Sequence, residues 1–196
     1  MTSPTIEDSS ELFKKPSSFL NMYSLIGLEV HDPGLLKYIN ISRTTLNSGR
    51  NHASRIRRLR INVIERFLCG LMRTQKCTGK KTKLFNMLQE SFEKLAHQTG
   101  ENPVQILIRA IENSAPELEQ VKVRASGNFR AVEISPSRRL SIALRNLCLG
   151  AFRSASSKRP LVDGITEELL FASKGSIQSY GVSKKVEREN LAISVK

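Results

Sequence analysis

The sequence predicts a mainly α-helical fold: a single domain of about six helices, with one protruding β-hairpin between the third and fourth helices and a basic N-terminal arm in front. Three observations support this prediction. Apolar residues recur at helical spacing through most of 62–174, strict alternation replaces that period only within 118–135, and arginines crowd a short acid-free segment before the first helix. With 196 residues and 39% hydrophobic content, the chain has material for one ordinary core.

The predicted organisation has three parts. Residues 1–48 form an N-terminal extension, which we expect to be partly disordered or bound to a partner. Residues 49–61 form the basic arm, which is rich in arginine and contains no acid. Residues 62–196 form the helical domain, which includes a β-ribbon at 118–135 and a C-terminal helix or tail at 183–196.

The first two helices are predicted from apolar stripes. The first covers 62–73 and the second covers 82–98, with Gly100 ending the second. Their apolar stripes are Ile64, Phe67, Leu68 and Leu71 in the first, and Leu84, Phe85, Leu88, Phe92, Leu95 and Ala96 in the second. Off the stripe of the first helix lie Glu65, Arg66 and Arg73.

Capping signals define the third helix. Asn102 is typical of an N-cap, Pro103 of a first helical position and Gln105 of a capping-box partner, and Pro116 ends the helix. Its predicted buried residues are Val104, Leu107, Ile108 and Ile111.

A change of period predicts the hairpin. Val121 alternates with charged neighbours, Ser126 to Asn128 offer turn chemistry, and Val132 and Ile134 alternate with Glu133. An isolated two-stranded ribbon is marginally stable in water. We therefore expect the helices to anchor its base and its tip, 122–130, to project.

Three more helices are predicted after the hairpin. Ser135 and Pro136 open the fourth, 161–174 is the fifth with Gly175 closing it, and 183–194 is a weaker sixth. The fourth presents a core face of Leu140, Leu144, Leu147, Cys148 and Ala151 and an outer face of Arg138, Arg139, Arg145 and Arg153. The sixth offers only Val186, Leu191 and Ile193 for burial, so a mobile tail is an alternative there.

The net charge of +13 is concentrated in two blocks. Residues 50–98 carry 12 basic and 3 acidic side chains, and residues 136–196 carry 11 basic and 5 acidic, whereas 1–49 and 99–135 each have a net charge of −1. Two blocks of one sign are typical of contact with a polyanion, and nucleic acid is favoured. A membrane surface is disfavoured because the arm has no continuous apolar face. An arm alone would also fit a nuclear-import signal or a solvated extension.

Sequence patterns for catalysis, metal binding and membrane insertion are absent. The chain has no HExxH, GxSxG, CxxC or phosphate-loop motif, so we expect no catalytic residue, no cofactor, no metal and only reduced thiols. It lacks an apolar run of about 18 residues and a basic-then-apolar N-terminus, which favours an intracellular protein away from membranes. The scattered candidates are His31, His52, His97, Cys69, Cys77 and Cys148.

One rival class is a helix-turn-helix DNA-binding regulator, since a basic helical chain also fits that class. It predicts one recognition helix with base-reading polar residues, and a dimer. Two separate basic blocks with a ribbon between them fit it poorly.

Three motifs, in this order, resemble the universal small-subunit ribosomal protein seven family, whose eukaryotic cytosolic member is small-subunit protein five. They are TGENP at 99–103, SPSRR at 135–139 and KGSIQSY at 174–180. The arm and first helix, GRNHASRIRRLRINVIERF, are also similar to the eukaryotic form, and DPGLLKYI at 32–39 resembles its extension. The chain departs from the family in a shorter segment before the arm and in a hairpin trimmed by about one residue.

The resemblance implies a function as well as a fold. It implies a primary binder of the 3′ major domain of small-subunit rRNA that organises the head of the subunit, beside neighbouring head proteins. It places the ribbon and the C-terminal helix near the mRNA exit and the exit-site tRNA. It implies the cytosolic ribosome, with nucleolar assembly in a eukaryote, and no membrane or homo-oligomer.

The residues implied to make these contacts fall into three groups. The rRNA-binding group is Arg50, Arg55, Arg57, Arg58, Arg60, Arg73, Lys80, Lys81, Lys83, Arg138, Arg139, Arg145 and Arg153. The ribbon-tip group is Lys122, Arg124 and Arg130, and the C-terminal group is Lys184, Lys185 and Arg188.

Overall fold

The computed structural model describes residues 18–19, 23–25, 27–41, 46, 54–74, 77–122, 128–156 and 158–195, with only the backbone of 18–19, 55 and 56. The helices are α1 Pro33–Leu36, α2 Arg55–Arg58, α3 Val63–Leu71, α4 Lys81–Thr99, α5 Pro103–Ser114, α6 Pro136–Ser154, α7 Leu161–Ser173 and α8 Tyr180–Ile193. The strands are β1 Ser18–Phe19, β2 Tyr23–Ser24, β3 Leu118–Lys122 and β4 Phe129–Glu133. The mainly helical prediction is confirmed, and the six predicted helices are α3 to α8. None of the described helices is both long and apolar enough to cross a membrane.

Helix α7 is the centre of the core, because it packs against α4, α5 and α6. Two glycines allow its closest approach to α6. A Cβ at Gly164 would lie 2.5 Å from the carbonyl oxygen of Ala151, and a Cβ at Gly150 would lie 2.4 Å from the carboxylate carbon of Glu168. The predicted core faces of α5 and α6 are buried as expected.

The hairpin pairs antiparallel, with Val121 opposite Arg130. Its base is anchored by Glu119, which accepts hydrogen bonds from Arg138 of α6 at 3.0 Å and Arg188 of α8 at 3.2 Å. The anchored base is therefore confirmed, whereas most of the predicted tip, 123–127, lies outside the described residues. The alternation of the strands does not mark a core face, since Val121 and Val132 are exposed and only Ile134 is buried.

Residues 28–41, which lie within the segment expected to be partly disordered or bound to a partner, pack into the same core as the helices. Glu112 of α5 accepts backbone N–H bonds from His31 at 2.7 Å and Asp32 at 3.1 Å. The buried apolar residues of this segment are Leu28, Val30, Leu35, Ile39 and Ile41. The segment belongs to the helical domain because polar groups of α5 pair with its backbone and its apolar side chains join the core.

The capping box predicted for α5 is half correct: Asn102 caps the helix, but Gln105 does not bond back to the helix start. Asn102 caps the helix by accepting a bond from the N–H of Val104 at 3.0 Å. The Gln105 side chain instead pairs with both backbone groups of Glu29, at 3.0 and 2.9 Å. The amide therefore holds the N-terminal segment rather than its own helix end.

Helix α8 begins at Tyr180, one turn earlier than predicted, and buries a different face. Gly181, Val182 and Ala192 are buried. The three residues predicted to be buried are exposed instead: Val186, Leu191 and Ile193. The early start follows from capping by Ser179, whose hydroxyl accepts a bond from the N–H of Val182 at 3.3 Å. Of the two alternatives for the C-terminus, the structure has the helix over 180–193.

Candidate nucleic-acid interface

A groove of about 590 Å³ lies among α2, α3, α6 and α8, and we call it the basic groove. None of its described lining residues is acidic. An adjoining hollow of about 520 Å³ continues along α3 past Gly70 and Thr74, again with no acid among its described lining residues. The cations that line the basic groove are Arg58, Arg66, Arg73, Arg138, Arg145, Lys184 and Arg188.

Helical spacing brings the cations to one side. Arg138 and Arg145 are seven residues apart on α6, and Lys184 and Arg188 are four apart on α8, so each pair occupies one helix face. The opposite face of α6 is core, which holds its arginines on a rigid support. The two basic blocks of the sequence therefore meet in one concave surface.

The cations differ in how far the protein already neutralises them. Arg138 and Arg188 share the carboxylate of Glu119, and Lys184 pairs with Glu187. Arg73 and Arg145 are exposed and have no ion-pair partner among the described residues. These two arginines are the most available to an external anion.

Arg66 differs from the others because it is buried, with only 9% of its surface exposed. Its Nη2 donates to the hydroxyl of Ser141 at 3.2 Å, whereas Nη1 has no acceptor in the described part of the chain. Burial, and then the positive charge of Arg58, lowers the pKa of Arg66 to about 10. The guanidinium therefore remains charged at neutral pH in a site that disfavours charge.

The sequence prediction placed Glu65 and Arg66 off the buried stripe, and both placements are wrong. Glu65 is 1% exposed and its Oε1 lies 2.5 Å from Nζ of Lys81. Arg66 and Gly70, four residues apart on α3, both face α6: Arg66 contacts Ser141, and a Cβ at Gly70 would lie 2.7 Å from Sγ of Cys148. The small residue on this face was the signal that the face packs closely against a neighbour.

Asn146 is a second buried residue of the basic groove that no sequence pattern singled out. It is 8% exposed, and its Nδ2 has no acceptor among the described residues. It lies next to Arg145 on α6 and lines the same groove as Arg66. Buried polar groups are normally paired, so two unpaired donors in one groove call for a physical explanation.

Several predicted rRNA-binding residues lie outside the basic groove. Arg57 and Arg60 are exposed beside it, and Lys80 and Lys83 line a separate hollow of about 220 Å³ with Arg159. Arg153 stacks over the ring of Tyr180, with 4.2 Å from Cζ to the ring centroid.

The predicted ribbon-tip and C-terminal residues also include members outside the basic groove. Lys122 and Arg130 are exposed on the hairpin, and Lys185 is half-buried on α8. The predicted contacts that lie outside the described residues are Arg50, Arg124 and the side chain of Arg55.

Two residues predicted to contact rRNA, Arg139 and Lys81, form ion pairs within the protein. Arg139 is 12% exposed at its side chain and pairs with Asp32 at 2.8 Å, while its Nε donates to the carbonyl of Pro116 at 3.2 Å. Lys81 is the partner of the buried Glu65. Both side chains join distant segments of the fold, so their role as rRNA contacts stays a prediction.

The cysteines have the properties of packing residues. Cys148 is buried, and this burial raises the pKa of its thiol well above the usual range. Burial also raises the pKa of Cys69. Among the described residues, no group of three or more His, Cys, Asp and Glu side chains is placed to hold a metal ion.

The comparisons with known proteins agree with this architecture. The profile of the family described as "Ribosomal protein S7p/S5e" matches residues 37–196. The chain is 43% identical to "Small ribosomal subunit protein uS7" of Picrophilus torridus, over 90% of this chain and 97% of that protein. It is 39% identical to the protein of the same name from Thermoplasma volcanium, over 89% and 97% of the two chains, and 36% identical to that of Methanococcus aeolicus, over 90% and 97%.

The family match covers every helix from α2 to α8, together with the hairpin and the basic groove. The relatives are similar along nearly their whole length, so the likeness extends over the whole domain and not one motif. The chain belongs to the ribosomal protein S7p/S5e family.

Proposed function

We propose that the chain is a structural constituent of the small ribosomal subunit and binds small-subunit rRNA through the basic groove. The observation that carries the proposal is the lining of that groove, where seven cations meet and none of the described lining residues is acidic. The relatives are named as small-subunit proteins, which agrees with this role. The family is structural and not enzymatic, and we assign no catalytic step to the chain.

The physical chemistry of the groove favours a phosphate backbone. Cations held close together on rigid helices repel one another, so a bound polyanion would relieve that repulsion. Arginine offers a planar fork that matches two phosphate oxygens, and displaced counterions add free energy to binding. A concave surface built from several helices suits the shape and backbone of folded RNA, whose A-form major groove hides its base edges.

The finer assignment follows the family. We propose that the rRNA partner is the 3′ major domain, that the chain organises the head of the subunit beside other head proteins, and that the hairpin and α8 lie near the mRNA exit and the exit-site tRNA. Lys122 and Arg130 are exposed on the hairpin and free of core packing, which suits contact with a neighbouring component. The ribosome places the protein in the cytoplasm, and nucleolar assembly would apply only in a eukaryotic source.

The proposal predicts a preference for rRNA over DNA. Purified protein should bind a 3′ major-domain rRNA fragment at least about tenfold more tightly than duplex DNA of equal charge at matched salt, because the groove recognises a folded backbone. Filter binding or fluorescence anisotropy over a salt series measures both affinities. Equal affinity, or tighter binding to DNA, would contradict the ribosomal function and favour a DNA-binding regulator.

A second prediction concerns the arm. Replacing Arg57 and Arg60 by alanine should weaken rRNA binding roughly 30-fold at 0.1 M salt and lower the salt slope by about 1.5, since each phosphate contact contributes about 0.7 to 0.9 to that slope. Both side chains are exposed, so circular dichroism should be unchanged. The matched control is Lys37→Ala with Lys174→Ala, which removes the same charge elsewhere. Equal losses in the two double variants would show that only net charge matters.

A further inference from the structure

We propose that Arg66 and Asn146 form a recessed subsite in the basic groove that receives one phosphate group of the bound RNA. The proposal rests on the proposed function and assigns a specific ligand to two side chains that are absent from the predicted rRNA-binding residues. It starts from two residues that line the groove, Arg66 and Asn146, each of which has a buried donor without an acceptor among the described residues: Nη1 of Arg66 and Nδ2 of Asn146.

The missing partner is an acceptor. A guanidinium nitrogen and an amide nitrogen can only donate, so whatever completes the site must supply oxygen lone pairs. The described lining residues contain no carboxylate that could turn toward the two donors. We infer that an acceptor beyond the described residues, supplied by the bound ligand, completes the site.

The charge of the site selects an anionic acceptor. Arg66 is a buried cation whose protein partner, the Ser141 hydroxyl, is neutral. Arg58, Arg73 and Arg145 line the same groove and add further positive charge. A neutral acceptor such as a ribose hydroxyl would leave this charge uncompensated, whereas a phosphate group would supply oxygen acceptors and compensate the charge.

The recess makes this subsite different from the exposed arginines. Arg66 is held between α3 and α6, so it has little side-chain freedom to lose on binding. In the free protein, however, its burial without a counter-charge is unfavourable, and replacing such a group by an apolar one of similar length is often neutral or stabilising. The subsite hypothesis therefore predicts opposite effects of one substitution on stability and on binding.

The decisive variant is Arg66→Met. We expect an unchanged or raised Tm of the free protein, a tenfold or greater loss of affinity for the 3′ major-domain fragment at 0.1 M salt, and a salt slope lower by about 1. Asn146→Ala should weaken binding severalfold without changing the slope, because an amide releases no counterion. Arg57→Ala is the control, because it also removes one cation, but an exposed one. Phosphorothioate substitution at single rRNA phosphates identifies the phosphates that matter for binding of the wild type. At least one of these substitutions should no longer impair binding of Arg66→Met but should still impair binding of Arg57→Ala.

A measurement without rRNA separates failure of the subsite from failure of the proposed function. At matched ionic strength, inorganic phosphate in place of chloride should raise the Tm of the wild type and of Arg57→Ala more than that of Arg66→Met. One outcome would overturn the subsite: Arg66→Met has a lower Tm or does not fold, and Asn146→Ala binds rRNA like the wild type. Arg66 would then be a structural link to Ser141 and not a phosphate ligand. Unaltered affinity in both variants would mean that water alone satisfies the two donors, even if the wild type prefers rRNA.

Discussion

Alanine at Arg58, Arg73 and Arg145 together is expected to weaken binding to the 3′ major-domain rRNA fragment by more than about 100-fold at 0.1 M salt. The three side chains line the basic groove from α2, from the turn after α3 and from α6. Each phosphate contact contributes about 0.7 to 0.9 log units of affinity at that salt concentration, so three contacts contribute roughly 2 to 3. The salt slope should fall by a similar amount.

The matched control for this groove variant is Lys37→Ala with Lys158→Ala and Lys174→Ala. These three lysines are exposed, lie outside the described lining of the groove and carry the same total charge. Long-range attraction alone would make both triple variants equally weak, whereas contacts in the groove would make the arginine variant much weaker. Tm should change little in either, because substitutions of exposed side chains usually alter stability by less than about 0.5 kcal/mol.

Glu168→Ala is expected to lower the free energy of unfolding by about 3 kcal/mol or more, a Tm decrease of roughly 6 to 12 °C. Glu168 is 6% exposed on α7. Its Oε1 accepts from the Ser179 hydroxyl at 2.8 Å and the Gly181 N–H at 2.9 Å, and its Oε2 accepts from the Tyr180 N–H at 3.2 Å. Truncation leaves these donors at the start of α8 unpaired.

The control for this stability prediction is the neighbouring residue. Glu167 forms a surface ion pair with Arg159 at 2.5 Å, and such exposed pairs contribute about 0 to 1 kcal/mol, so Glu167→Ala should change Tm by a few degrees at most. Differential scanning calorimetry compares the two variants directly. A Glu168→Ala protein as stable as Glu167→Ala would show that the carboxylate does not hold α8 in place.

Local signals in the sequence predicted the helices that bury their own apolar stripes. Helices α3, α4 and α7 begin and end within two residues of their predicted bounds, and α5 and α6 begin at the predicted prolines. Apolar spacing, N-caps and N-terminal prolines act within one or two turns, so they can be read without knowledge of distant residues. The hairpin was predictable for the same reason, because alternation and turn chemistry are also local.

The candidate site was predictable in composition but not in assembly. The two blocks of positive charge are enough to indicate a polyanion, because charge is a property of the sequence alone. Of the seven cations that line the groove, Arg66 is the one absent from the predicted groups. The other six belong to the predicted rRNA-binding or C-terminal groups: Arg58, Arg73, Arg138, Arg145, Lys184 and Arg188. Charge counts do not reveal that α3 and α8, more than 100 residues apart, line one groove.

The sequence by itself determined that this chain is a basic, mainly helical protein with one hairpin, because amphipathic period and charge are properties of short segments. Only the tertiary structure decided which polar residues are buried. Glu112 and Gln105 of α5 hold 29–32 in place, Glu168 of α7 accepts bonds from the first residues of α8, and α6 covers Arg66. In each case the deciding partner comes from a different element, and the free energy of a buried polar group depends on such partners rather than on neighbours along the chain.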